Sequence, residues 1–174
     1  MGSPANQRLR RLGYRLAFLV PPKIRHRLIR LVMARYMVGA VALVRDSEQP
    51  DRMLLLRQPP GLGWTLPAGL LKRGERPVDG CVRELAEESG LRLNAADLTP
   101  AVPSAVVHTR GRWVDTVFEA SVPASQVTLV ADGAEVLEAA WHRLDNLPPL
   151  TVATARLLSY YRIGPYAEYP EVRA

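Results

Sequence analysis

A single cysteine, Cys81, stands among 174 residues. An intrachain disulfide is therefore excluded, and the chain suits a reducing compartment, so a cytoplasmic location is the expectation. Long apolar runs are scarce near the start. The stretch Leu16 to Val20 stops at Pro21-Pro22, too short for a transmembrane span or a typical export signal. No internal repeat or low-complexity tract occurs. Three histidines, His26, His108 and His142, show no metal-ligand spacing. What remains is an ordinary globular composition, 48% hydrophobic and 23% charged, in a length that suits one domain with a substantial core.

The other absence is one of sign. Residues 1–36 hold nine Arg or Lys and no Asp or Glu; the remaining 138 hold fourteen against seventeen, a net of −3. A basic appendage thus precedes a mildly acidic domain. The appendage reads as two short amphipathic helices broken by the prolines. In the second, Ile24, Leu28, Leu31 and Val32 form an apolar stripe beside Arg27, Arg30 and Arg35. Such a stripe docks onto the domain or across a homodimer; a membrane surface or nucleic acid is the alternative contact.

Beyond it the period changes. MVGAVALVR (37–45) and RMLLLRQ (52–58) read as strands joined by a polar loop, and WTLP (64–67) as a short extended segment. SAVVHT (104–109) and RWVDTVFEASV (112–122) follow as a hairpin turning at Arg110-Gly111, with a further strand around Ala139 to Arg143. TVATARLLSYYR (151–162) is a closing helix, with Val152, Ala155, Leu158 and Tyr161 or Arg162 spaced for one face. Strands alternating with helices predict an α/β or α+β sandwich.

The chemistry concentrates in GLLKRGERPVDGCVRELAEESGL (69–91). Pro77 suits a first helical turn and Gly90 the position just past the end, which predicts a helix over about 77–89. Val78, Cys81, Val82 and Leu85 fall on a core-facing arc. Glu84, Glu87 and Glu88 crowd the adjacent arc, a spacing at which like charges destabilise a helix. Oxygen-rich ligands at a loop–helix junction suit Mg²⁺ or Mn²⁺ and not zinc, so bound cations would offset the repulsion.

This stretch resembles the Nudix box, G-x5-E-x7-R-E-U-x-E-E-x-G-U with U bulky and aliphatic. Gly69, Glu75, Arg83, Glu84, Leu85, Glu87, Glu88, Gly90 and Leu91 fill all nine defined positions. The resemblance implies an α/β/α sandwich with a mixed sheet over residues 37–163, leaving a tail at 164–174. It implies hydrolysis of a nucleoside diphosphate linked to another moiety, with Mg²⁺ or Mn²⁺. Glu84 would be a metal ligand or general base and Glu87 and Glu88 metal ligands. Arg83 would assist the catalytic carboxylate, and Arg83 and Glu75 would orient the helix and loop. The carbonyl before the box glycine, here that of Ala68, can complete the ligand set; many relatives have Gly there.

Some members add a carboxylate shortly before a strand containing Trp. Glu135, six residues before Trp141, is the candidate general base from outside the box, with Glu138 and Glu119 as rivals. A diphosphate repels its nucleophile, so cations must neutralise it before a carboxylate can take a proton from attacking water. Arg57 suits phosphate contact and Trp64 stacking on a nucleobase, with a solvated arginine and a core tryptophan as the plain alternatives. Position 107, sixteen residues after the box, is Val and matches no substrate-subclass marker. Two alternatives are carried: a catalytically weak ligand-sensing module, and a cap-type pyrophosphatase directed to nucleic acid by the basic arm.

Overall fold

The computed structural model describes residues 35–168 except Arg110 and Asp132, together with Pro21, Pro22, Ile24 and Met33. The helices expected in residues 1–36, and what they contact, fall largely outside the described residues. The chain divides into two compact units, Met1–Tyr36 and Met37–Ala174. Among the described residues no helix is long and apolar enough to cross a membrane.

The second unit carries seven strands, β1 (Met37–Asp46), β2 (Arg52–Arg57), β3 (Trp64–Thr65), β4 (Ala68–Leu70), β5 (Thr99–His108), β6 (Trp113–Val122) and β7 (Glu138–Arg143). Among the described residues two helices accompany them, α1 (Pro77–Ser89) and α2 (Val152–Tyr160). The strand order is β3-β2-β1-β6-β5, with β4 added on β1 and β7 on β2. β1 and β6 run parallel over their whole length and the other pairs are antiparallel, so the sheet is mixed.

The near-continuous apolar runs in β1 and β2 have a direct cause: both faces of the sheet are covered. Side chains alternate across a strand. Ala40, Ala42, Val44, Leu54 and Leu56 accordingly pack with Cys81 and Leu85 of α1. Val41, Leu43, Met53 and Leu55 pack on the other side with Leu157 and Leu158 of α2. The result is an α/β/α sandwich.

Element positions follow the sequence reading except for β4 (Ala68–Leu70), a strand where a loop was expected, and three further differences. β5 begins at Thr99, earlier than expected, because a run broken by Pro100 and Pro103 lacks a strand's appearance; its register against β6 shifts between Pro100 and Ala105. The Tyr161 hydroxyl donates to the Pro103 carbonyl at 2.6 Å. α2 buries Thr154, Leu157, Leu158 and Ser159, while Val152 is 67% exposed. The expected stripe started on the wrong residue: Thr151 caps the helix, accepting from the Thr154 N–H, and places Val152 outward. Residues Gly164–Glu168, assigned to a tail, form a 3₁₀ turn whose Tyr166 packs on the α2-side core.

One feature of the sheet positions the site. Along one edge β1 pairs continuously with β6. Its other edge is divided, pairing with β4 at Gly39–Val41 and with β2 at Arg45. β2 and β4 therefore diverge from β1 like the arms of a fork.

Candidate active site

α1 begins with Pro77 and ends at Gly90, whose φ of 73° is the left-handed conformation that glycine adopts at least cost. Cys81 is buried; burial, with Glu84 nearby, pushes its thiol up to about 12, so it is an inert core residue. Gly80 faces the box loop. A Cβ there would run into the Leu71 side chain and come within 3.2 Å of Glu75 Oε2, so the glycine lets the box loop lie against the helix.

Glu88 is the best-buried carboxylate of the helix, 6% exposed. Its Oε1 accepts from Gln58 Nε2 at 2.7 Å, just past the end of β2, and its Oε2 from the Ala68 N–H at 2.9 Å, at the start of β4. One carboxylate thus bridges the two arms of the fork. Burial is the main cause that lifts its pKa to about 8, with Glu84 and Glu135 adding negative charge nearby. Glu135 therefore belongs to the electrostatic neighbourhood of the helix carboxylates.

β4 supplies the floor. The Pro67 carbonyl and the Leu71 N–H both bond to β1, so the alternation of the strand turns the N–H and C=O of Ala68 and Leu70 to the outer edge. That edge faces the helix: Ala68 donates to Glu88, and the Leu70 carbonyl accepts from Arg83 at 3.1 Å. Ala68 lies in regular strand, outside the set of residues with positive φ, so alanine presents its carbonyl as glycine would. Gly69 is required by close approach, because a Cβ there would overlap the Glu84 carboxylate.

Arg83 is the hub. Its Nε and Nη2 hold both oxygens of Glu75, at 2.9 and 3.0 Å, and its Nη1 donates to Glu84 at 2.6 Å and Glu87 at 2.9 Å. Glu75 also accepts from the Lys72 N–H at 2.7 Å. The Arg83 guanidinium, first, and that N–H hold Glu75 down to about 2. Lys72 Nζ stands 3.7 Å from Glu87. The repulsion among the acidic residues is thus met partly by protein cations, a role the sequence reading had given to metal alone.

Three glutamates and a strand carbonyl make an all-oxygen donor set that fits a hard divalent cation. Burial, with Glu84 and Glu135 nearby, favours the protonated form of Glu88, a penalty that a bound cation would relieve. As arranged, no group of three His, Cys, Asp or Glu side chains among the described residues could hold an ion, and Arg83 and Gln58 hold carboxylate oxygens instead. Residues Glu84 and Glu87 would exchange Arg83 for the cation.

The two substrate candidates from the strands form a separate group. Arg57 pairs with Glu138 at 2.9 Å and lies 5.9 Å from the centre of the Trp64 ring, while His142 meets that ring edge-on at 4.2 Å. Trp64 also packs on the α2-side core. Among the described residues, Arg57, Glu138, Trp64 and His142 form a cluster of their own. The sequence reading missed Gln58 and Lys72. Strand alternation was the available signal for Gln58, since it sits in opposite phase to Arg57 and so faces α1.

Three glutamates of one helix are thus laid against the open edge of a short strand in an α/β/α sandwich. The NUDIX domain family matches residues 35–161, and the chain belongs to the Nudix family. It is 29% identical over 129 residues to an ADP-ribose pyrophosphatase of Methanocaldococcus jannaschii, covering 72% of this chain and 75% of that protein. To an 8-oxo-dGDP phosphatase of Homo sapiens it is 37% identical over 119 residues, 65% of this chain but 33% of the human protein. The match to a Myxococcus xanthus octanoyltransferase spans 17% of that protein. Among solved structures, the NUDIX domain of Shewanella oneidensis NrtR complexed with ADP ribose superposes with a TM-score of 0.60 at 19% identity, covering 76% of this chain and 90% of that one. A MutT NUDIX hydrolase from Burkholderia pseudomallei gives 0.56 at 28% identity, over 69% and 93%.

Proposed function

We propose that the protein is a metal-dependent hydrolase that cleaves the diphosphate linkage of a nucleoside diphosphate derivative by attack of water on phosphorus. The observation that carries this reading is the convergence on the outer edge of β4. Glu88 sits on the Ala68 N–H, Glu84 packs against bare Gly69, and Arg83 bonds the Leu70 carbonyl. The relatives support the substrate class, since one is named for ADP-ribose and another for 8-oxo-dGDP.

Glu84, Glu87, Glu88 and the Ala68 carbonyl would hold Mg²⁺ or Mn²⁺, which when bound neutralises diphosphate charge and acidifies water. The chain's own groups do the rest. Glu84, set against bare Gly69, takes the proton from the attacking water in our reading; Glu135 is the alternative acceptor. Arg83 and Glu75 position the carboxylates. Gln58 orients Glu88.

A panel of nucleoside diphosphate derivatives, assayed with Mg²⁺ or Mn²⁺ and with products identified by mass, tests the proposal. Cleavage within the diphosphate, abolished by EDTA, is the expected result. Full activity in excess EDTA would refute it. Glu135→Gln separates the two proton acceptors: activity falls steeply if Glu135 takes the proton and is largely kept if Glu84 does.

A further inference from the structure

The face of β4 opposite the carboxylates opens onto two adjoining cavities, of about 170 and 220 Å³. Both are bounded by Ala68, Trp113 and Asp115. The strand register explains the company. Asp115 stands opposite Gly39 on β1, and Gly39 stands opposite Leu70 on β4, so all three lie on the α2 side. The walls are otherwise mostly neutral, with Val41, Leu66 and Leu157 among them.

Among the described residues of that lining Asp115 is the single acidic side chain. It is held in place: Oδ2 lies 2.8 Å from His108 Nε2, and its strand neighbour Thr116 bonds the Gly39 carbonyl at 2.7 Å. Oδ1 lies beside Gly39, where a Cβ would stand 3.3 Å away, so the missing side chain keeps that oxygen open. The carboxylate is 22% exposed, reachable and yet partly desolvated. Trp113 supplies an indole on the same wall.

We infer that this pocket reads the base of the substrate, and that Asp115 selects guanine-type bases. The inference rests on the hydrolase reading above and deepens it. An aromatic face with one fixed polar group is how a protein reads an unstacked base. An ionised carboxylate only accepts hydrogen bonds. Guanine presents two adjacent donors, N1–H and the N2 amine. Adenine sets the acceptor N1 beside its amine, which a carboxylate repels. A ribose diol could also donate to Asp115, but the apolar walls suit a flat base better. The pocket reaches Ala68 and Gly69, so a base held there leaves its phosphates at the strand that the glutamates border from the other side.

The test is binding, which does not require turnover. Dissociation constants for GDP, IDP and ADP are measured with Mg²⁺ on the full chain and on Asp115→Asn. The wild type should bind GDP at least about tenfold more tightly than ADP, the ratio expected of a hydrogen-bonding site facing an analogue that leaves it unpaired. D115N should bring the two within about threefold. IDP lacks the N2 amine and should bind the wild type more weakly than GDP, a reading that needs no variant. Equal binding of GDP and ADP, or no binding of either, overturns the inference. So does a preference that persists in D115N, or an equal loss for both nucleotides. A chain that prefers GDP yet cleaves no guanosine diphosphate derivative would refute the hydrolase reading and leave the base assignment standing.

Discussion

The two sides of β4 carry opposite chemistry. Towards α1, its polar edge and bare glycine are engaged by charged residues: Glu88, Glu84 and Arg83 each bond or abut it, and Glu75, Glu87 and Lys72 lock those in turn. Towards α2, the same three residues wall neutral cavities with one acid, Asp115. A strand of three residues thus separates a place where charge is gathered from a place where it is rationed. In the reading proposed above, the difference teaches that catalytic groups and selective groups need opposite surroundings. Several charges must be kept close on one side, and on the other a lone hydrogen-bonding group gains meaning from apolar neighbours.

The comparison breaks most severely at Glu88. Glu88→Gln, or Glu87→Gln, should lower kcat/KM at least about 100-fold, beyond the 10- to 100-fold typical of groups that only support a ligand. Circular dichroism should show the fold retained. Gln58→Ala should fall inside that supporting range, through misorientation of Glu88. An equal loss in Q58A and E88Q would show that Glu88 acts by bridging β2 and β4, and not through its charge.

Gly69→Ala attacks the boundary itself. The new Cβ would displace the Glu84 carboxylate. Overpacking should cost about 1–3 kcal/mol in denaturant unfolding, along with most of the activity. Arg83→Met removes the hub and should cost about 1–3 kcal/mol, since three carboxylates lose a partly buried partner. Activity lost in R83M with stability unchanged would mean that the arginine serves substrate and not the helix.

The smallest effect is one of pH. Folded Glu88 keeps its proton up to about 8, whereas the unfolded chain releases it near 4.5. More protons are then bound in the folded state across that window, so stability of the metal-free protein falls as pH rises from about 4.5 to about 8. Glu75 has the opposite sign. Held at about 2, it contributes stability above 4.5 that is lost as the medium is acidified towards 2. In EDTA, the melting temperature of E88Q should decline less than that of the wild type between pH 5 and 8. A matching decline in both would place the titrating group elsewhere.

The helix carboxylates were legible because their chemistry is local: acids three and four residues apart, a proline to begin the helix and a glycine to end it. The sandwich was legible for a similar reason, since apolar runs doubly covered by helices look unlike half-exposed ones. The bridge from Gln58 to Glu88 spans thirty residues and obeys no spacing rule. Asp115 looked like an ordinary polar residue in an alternating strand, and its meaning depends on Gly39, a partner brought in by parallel pairing. The face of α2 was misread because Thr151 took the cap and turned an apolar valine to solvent.

The prolines of β5 have a bearing on how these molecules meet one another. β5 ends the strand order, and Val102 on it is 91% exposed, the combination that invites a second chain to add itself alongside. Pro100 and Pro103 carry no amide hydrogen, and Tyr161 already occupies the carbonyl of Pro103. Two prolines leave β5 fewer backbone donors than an ordinary edge, and the engaged Pro103 carbonyl one acceptor fewer, which weakens it as a template for self-addition.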